Sequence, residues 1–118
     1  MLSALSVISV ISVSQADFKT WGIETLDQIR RELYLSETKL YAEDSSAKKP
    51  AFNWPAGVML SALAAGARVE PKYKEWLREY ADANRVYWNK EGPVAGYDVL
   101  PMPKPKDRYY DDNAWMCL

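Results

Sequence analysis

From Asp17 onward, apolar and polar positions alternate with the period of a helix. Phe18, Trp21, Thr25, Leu26, Ile29 and Leu33 recur at steps of three and four, and charged Lys19, Glu24, Asp27, Arg30, Arg31 and Glu32 fall between them. That spacing predicts one amphipathic helix over 17–35. The period is lost over 36–50, where Ser and Lys accumulate and Pro50 disfavours helix at the residue before it, so a loop is expected there. Residues 52–67 are apolar nearly all round, with small side chains at 56, 57, 61, 62 and 64–67, and carry no charge before Arg68. A helix of that kind is buried on most faces and lets its neighbours approach closely. Pro71 then opens a third helix at a first-turn position, where its missing N–H costs nothing. Along it, Tyr73, Trp76, Leu77, Tyr80, Asn84, Tyr87 and Trp88 form a stripe opposite Lys72, Lys74, Glu75, Arg78, Glu79 and Asp82.

Beyond this third helix the pattern breaks. Gly92, Pro93, Gly96, Pro101, Pro103 and Pro105 forbid continuous helix across 91–108 and predict a long extended loop, and loops of that length are often functional. The chain resumes an apolar helical pattern over 109–118, without a Gly, Asn or basic residue to end it. That ending is read as a domain cut short. A buried helix followed by a one-sided helix suits an all-α fold of helical hairpins, with inner and outer layers.

Residues 1–16 differ from the rest. They contain no charge and alternate Val and Ile with Ser, ending in Ser14 and Ala16 at the −3 and −1 positions of a cleavage site. The segment reads as a signal peptide that lacks a basic leading region, with a mature chain from Asp17 and a secreted, periplasmic or extracellular destination.

Composition narrows the chemistry. The 118 residues include no His and one Cys, with 15 basic and 16 acidic side chains for a net charge of −1. Without His there is no nucleophile–His relay, no H-E-x-x-H zinc site and no His base. One Cys supports neither an internal disulfide nor a Cys-cluster metal site, so no metal or cofactor is expected. Cys117, on an apolar helical face, is expected to be a buried small hydrophobe. The near-neutral balance gives no footprint for nucleic acid, and no apolar run is long enough to span a membrane. Acid–base chemistry therefore rests on carboxylates.

The carboxylate candidates are Asp111 and Asp112. Two acids opening a helix can be explained structurally, because Asp is a favoured N-cap and the helix dipole stabilises it. They also suit glycoside hydrolysis, in which one carboxylate attacks the sugar C1 and a second protonates the leaving oxygen. Those roles need different proton affinities, so the acid must be raised by burial or by its charged neighbour. Trp54, Tyr97, Tyr109, Tyr110 and Trp115 offer flat faces on which a sugar can stack, whereas Trp76, Tyr80, Tyr87 and Trp88 are expected in the core.

The run Phe52-Asn53-Trp54-Pro55-Ala56-Gly57-Val58-Met59-Leu60-Ser61-Ala62-Leu63, the helix ending near Tyr87-Trp88, and Tyr109-Tyr110-Asp111-Asp112-Asn113-Ala114-Trp115 together resemble glycoside hydrolase family 76. The resemblance covers 17–118, about the first third of that family's domain. It implies an (α/α)6 toroid of six helical hairpins, of which this chain would form the first part. It also implies retaining, endo-acting hydrolysis of α-1,6-mannan. Carried over by position, Asp111 is the nucleophile and Asp112 the acid/base, with Trp54, Tyr109 and Tyr110 contacting substrate. A toroid open after a few helices lacks the far wall of its cleft, so weak or absent catalysis is expected of the chain as it stands. Two other readings stay open: a non-catalytic helical module that binds glycan or a partner chain, and another toroid enzyme such as a sugar epimerase.

Overall fold

The computed structural model describes residues 17–46, 48–101 and 107–117. The expected leader over 1–16 lies outside them. Helix α1 spans Phe18–Leu33, α2 Asn53–Gly66, α3 Lys72–Ala83 and α4 Tyr110–Trp115. A 3-10 turn over Asn84–Tyr87 extends α3. Strands β1 (Tyr34–Leu35) and β2 (Leu40–Tyr41) pair antiparallel, as do β3 (Trp88–Asn89) and β4 (Gly96–Tyr97).

The expectation of an all-α toroid is therefore corrected. Among the described residues the fold is mixed, four helices with two short β-ribbons, and not a six-hairpin ring. In each ribbon the second strand falls in a stretch read as loop, and the first at or just past the end of a stretch read as helix. Leu40, Tyr41 and Ala42 sit in the Ser/Lys-rich segment yet are buried, because the hairpin folds back against the end of α1. Lys39 takes the left-handed conformation (φ 63°) that closes this turn. Ala42 N–H donates to Leu33 O at 2.8 Å and Ala51 N–H to Tyr41 O at 2.9 Å, which turns the chain into α2.

The core is aromatic. Tyr73, Tyr80 and Tyr87 fall seven residues apart on one face of α3 and its 3-10 extension, and all three are fully buried with Leu26, Leu40, Met59 and Leu63. Each such ring removes on the order of 150–250 Å² from water, provided its hydroxyl finds a partner. Tyr73 Oη donates to Asp27 Oδ1 at 2.9 Å, and Tyr87 Oη to Ala51 O at 2.6 Å. Helix α2 is buried at Ala56, Gly57, Met59, Leu63 and Gly66, with most of its other positions half-covered. Gly66 is a contact point: a Cβ there would come 2.7 Å from Leu26 Cδ1 and 2.9 Å from the Tyr73 ring.

Several core expectations also change. Trp88 is 42% exposed, because α3 gives way to ribbon before it and the strand turns its ring outward. Phe18 and Trp21 pack edge-to-face on each other but stay exposed, since α1 touches the core only from its middle onward. Cys117 is exposed, as α4 ends at Trp115 and its apolar stripe is too short to cover it.

Candidate functional site

The site is built around the first turn of α4. Tyr109, in extended conformation (φ −120°, ψ 148°), holds the N-cap position, and its side chain makes no capping bond. Asp111 and Asp112 lie inside the first turn, so neither is the N-cap, although both sit where the positive end of the helix dipole favours an acid. Successive helical residues diverge by about 100°. Asp111 accordingly points to solvent, whereas Asp112 is 9% exposed. Asp112 and Trp115, three apart, share a face. Trp115 packs against Gly57 so closely that a Cβ there would meet its Cβ at 2.6 Å and its backbone carbon at 2.9 Å.

Asp112 has no hydrogen-bond donor among the described residues. Burial holds its carboxyl above the usual range, and the nearby charges of Asp111 and Asp107 push in the same direction. The two acids thus stand in different environments one residue apart.

Trp54, at the start of α2, meets Trp115 edge-to-face with centroids 6.2 Å apart. Tyr109 and Tyr110 are exposed on the other side, where Tyr109 donates to Asp107 Oδ2 at 3.1 Å. The sequence-derived residues are therefore distributed around α4. Trp54 borders it through α2, Asp111 and Asp112 occupy its first turn, and the two tyrosines face an open groove of about 620 Å³ between α4 and the β3–β4 ribbon. Trp54 does not line that groove.

The residues that fix this geometry escaped the sequence reading. Asp98 is 0% exposed and accepts from Arg108 Nε at 2.6 Å and from Asn89 Nδ2 at 2.7 Å. Arg108 also donates to the carbonyls of Val94 and, at 2.6 Å, Glu91. Every nitrogen of its guanidinium is therefore engaged in tying the ribbon to the approach to α4. Asn113 completes the clamp. Its amide accepts from Tyr97 N–H at 2.7 Å and donates to Tyr97 O at 2.9 Å, pairing α4 with the ribbon as another strand would. Gly96 leaves room for this, since a Cβ there would approach Asn113 Oδ1 to 2.9 Å. Val99 N–H bonds Asp107 O, and Asn53 N–H bonds Val99 O, both at 2.9 Å, so the start of α2 belongs to the same junction.

Among the described residues no helix is long and apolar enough to cross a membrane. Comparison with protein families, with curated proteins and with solved structures finds no match to this chain.

Proposed function

We propose that the chain is a retaining glycoside hydrolase acting on α-mannan, with Asp111 as nucleophile and Asp112 as acid/base. The observation that carries this reading is the split within the pair. Asp111 is exposed in the first turn of α4, whereas Asp112 is buried and keeps its proton to higher pH. A retaining glycosidase needs that difference. Asp112 gives its proton to the glycosidic oxygen as Asp111 attacks C1 and the C1–O bond breaks, leaving a glycosyl ester on Asp111. Asp112, now ionised, takes a proton from water, whose oxygen attacks C1 and frees Asp111. Trp54, Tyr109 and Tyr110 supply faces for sugar rings. The Tyr-Tyr-Asp-Asp-Asn-Ala-Trp run that resembles glycoside hydrolase family 76 supports the same assignment, and the uncharged segment 1–16 fits a protein exported to meet a polysaccharide. Neither acid lines the open groove beside α4, so little encloses a substrate at the pair and turnover is expected to be slow.

The test is cleavage of α-1,6-linked manno-oligosaccharides. Wild-type protein is expected to release reducing ends slowly, Asp111→Asn to release none, and Asp112→Asn to retain activity only toward substrates with an activated leaving group. A second reading, a non-catalytic glycan-binding module, draws on the fact that Asp112 is buried and only Asp111 is exposed to solvent. Under that reading Asp111→Asn binds mannan unchanged and the wild-type protein cleaves nothing.

A further inference from the structure

We infer that Asn113 is the positioning residue of the acid pair: its amide, locked to the backbone of Tyr97, sets the rotation of α4 and so decides which of the two aspartates enters the interior. The catalytic consequence rests on the glycosidase reading, whereas the positioning itself does not. Helix α4 has six residues and no side-chain N-cap. A helix that short is marginal by itself, so its orientation about its own axis is set by what grips it from outside. The orientation matters, because successive side chains leave a helix about 100° apart, and a turn of that size would exchange the places of Asp111 and Asp112.

Two grips are present. On one flank Trp115 abuts Gly57 of α2. On the other, the Asn113 amide accepts from Tyr97 N–H at 2.7 Å and donates to Tyr97 O at 2.9 Å and to Tyr109 O at 3.0 Å. Hydrogen bonds are directional where apolar contact is not, so the second grip fixes the angle at which the helix sits. Tyr97 is a firm reference for it. The next residue, Asp98, donates its N–H to the carbonyl of buried Tyr87 at 2.8 Å and holds its carboxylate between Arg108 and Asn89. Asn113 directly follows Asp112, and the angle that brings its amide to the ribbon leaves Asp112 9% exposed and Asp111 in solvent. Among the described residues, the charges acting on Asp112 are those of Asp111 and Asp107, both acidic. Helix α2 carries no ionisable side chain, β4 contributes only the phenol of Tyr97, and the approach to α4 adds that of Tyr109. Burial is the foremost cause of the raised proton affinity of Asp112, and burial is what the rotation of α4 controls.

The experiment follows the Asp112 side-chain carboxyl by 13C NMR through a pH titration of wild-type, Asn113→Ala and Gly96→Ala protein. Gly96→Ala acts from the ribbon, because a Cβ there comes 2.9 Å from Asn113 Oδ1 and displaces the amide without altering α4. Wild-type Asp112 is expected to titrate above the ordinary 3.8 and to fall toward it in both variants. Toward α-1,6-linked manno-oligosaccharides, kcat is expected to drop by about 10- to 100-fold with KM unchanged, and the alkaline limb of the rate to move to lower pH. Glu79→Gln, which loosens the fold away from α4, is expected to lower the melting temperature and leave the Asp112 titration where it was. Wild-type Asp112 titrating at 3.8, or an unmoved titration in either variant that folds, would overturn the inference. If the variants shift Asp112 while wild-type protein cleaves nothing, the positioning role stands and the glycosidase reading falls. If wild-type protein cleaves mannan and neither variant changes the Asp112 titration or kcat, the positioning role falls and the glycosidase reading stands.

Discussion

The Asp112 carboxyl is buried beside two other carboxylates and binds its proton more tightly in the folded chain than in the unfolded one. A folded-state value raised above the ordinary 3.8 means that the charged form weakens the fold, so stability grows as pH falls through the raised value. Asn mimics the protonated side chain. Asp112→Asn is therefore expected to raise the melting temperature at neutral pH and to lose that gain at about pH 3, while abolishing acid catalysis. An equal melting temperature at neutral pH would show that Asp112 is not strained in its ionised form. Asp98, by contrast, is held by a cation, the guanidinium of Arg108 at 2.6 Å. Removing its cation by Arg108→Ala leaves a carboxylate with no exposure and no ion partner, a change expected to cost about 3–5 kcal/mol in denaturant unfolding. Asp111 and Asp112 were legible in the sequence because an acid pair at the head of an apolar helix carries its own pattern. Asp98, Arg108 and Asn113 were not, since their meeting depends on a ribbon that folds residues 10 to 16 positions apart onto one another.

Helices α1 and α3 follow from periodicity and α2 from its unbroken apolar run; α1 and α2 appear within two residues of their expected bounds, whereas α3 stops at Ala83 and a 3-10 turn takes its place up to Tyr87. What periodicity could not give is pairing. Two-residue strands such as Leu40–Tyr41 are too short to show alternation, and their burial comes from the hairpin turn at Lys39 rather than from local composition. The same limit explains Trp88, whose place in a helical stripe was overridden when α3 tightened into a 3-10 turn. Glycines test the element contacts. Gly57→Ala drives a methyl into the Trp115 backbone and is expected to destabilise the α2–α4 contact by about 1–3 kcal/mol, with loss of Trp115 fluorescence anisotropy. Gly22→Ala, inside α1 with nothing within 4 Å of its Cβ, is expected to stabilise by about 0.5–1 kcal/mol. If both substitutions moved the unfolding midpoint equally, the close approach of α4 to α2 would be wrong.

Across the molecule, α1, the β1–β2 ribbon and α3 are braced by Glu79. Its carboxylate accepts from Arg30 at 2.9 Å, Tyr34 at 2.7 Å and Lys39 at 3.2 Å, and Arg30 lies over the Tyr34 ring at 3.3 Å. The Tyr34 hydroxyl is the foremost of the donors that bring Glu79 down from 4.5 to about 2. A depressed carboxylate stabilises the fold above its unfolded value and loses that contribution as pH falls from 4.5 toward 2. Glu79→Gln is expected to cost roughly 1–3 kcal/mol at neutral pH, allowing for solvent screening, and to flatten the acid limb of a stability–pH curve. The mixed architecture shows why whole-molecule inference outran the sequence. Alternating buried and one-sided helices suit many folds, and the ribbons that decide among them leave no periodic signature. The account rests most heavily on the acid pair, and one measurement reaches it directly: α-1,6-mannan incubated with wild-type and Asp111→Asn protein, the products followed by proton NMR at the anomeric position. It predicts slow release of reducing ends that first appear in the α configuration, absent from Asp111→Asn. Release at the same rate from both proteins, first appearance of the β anomer, or no release from wild-type protein above the Asp111→Asn background would contradict it.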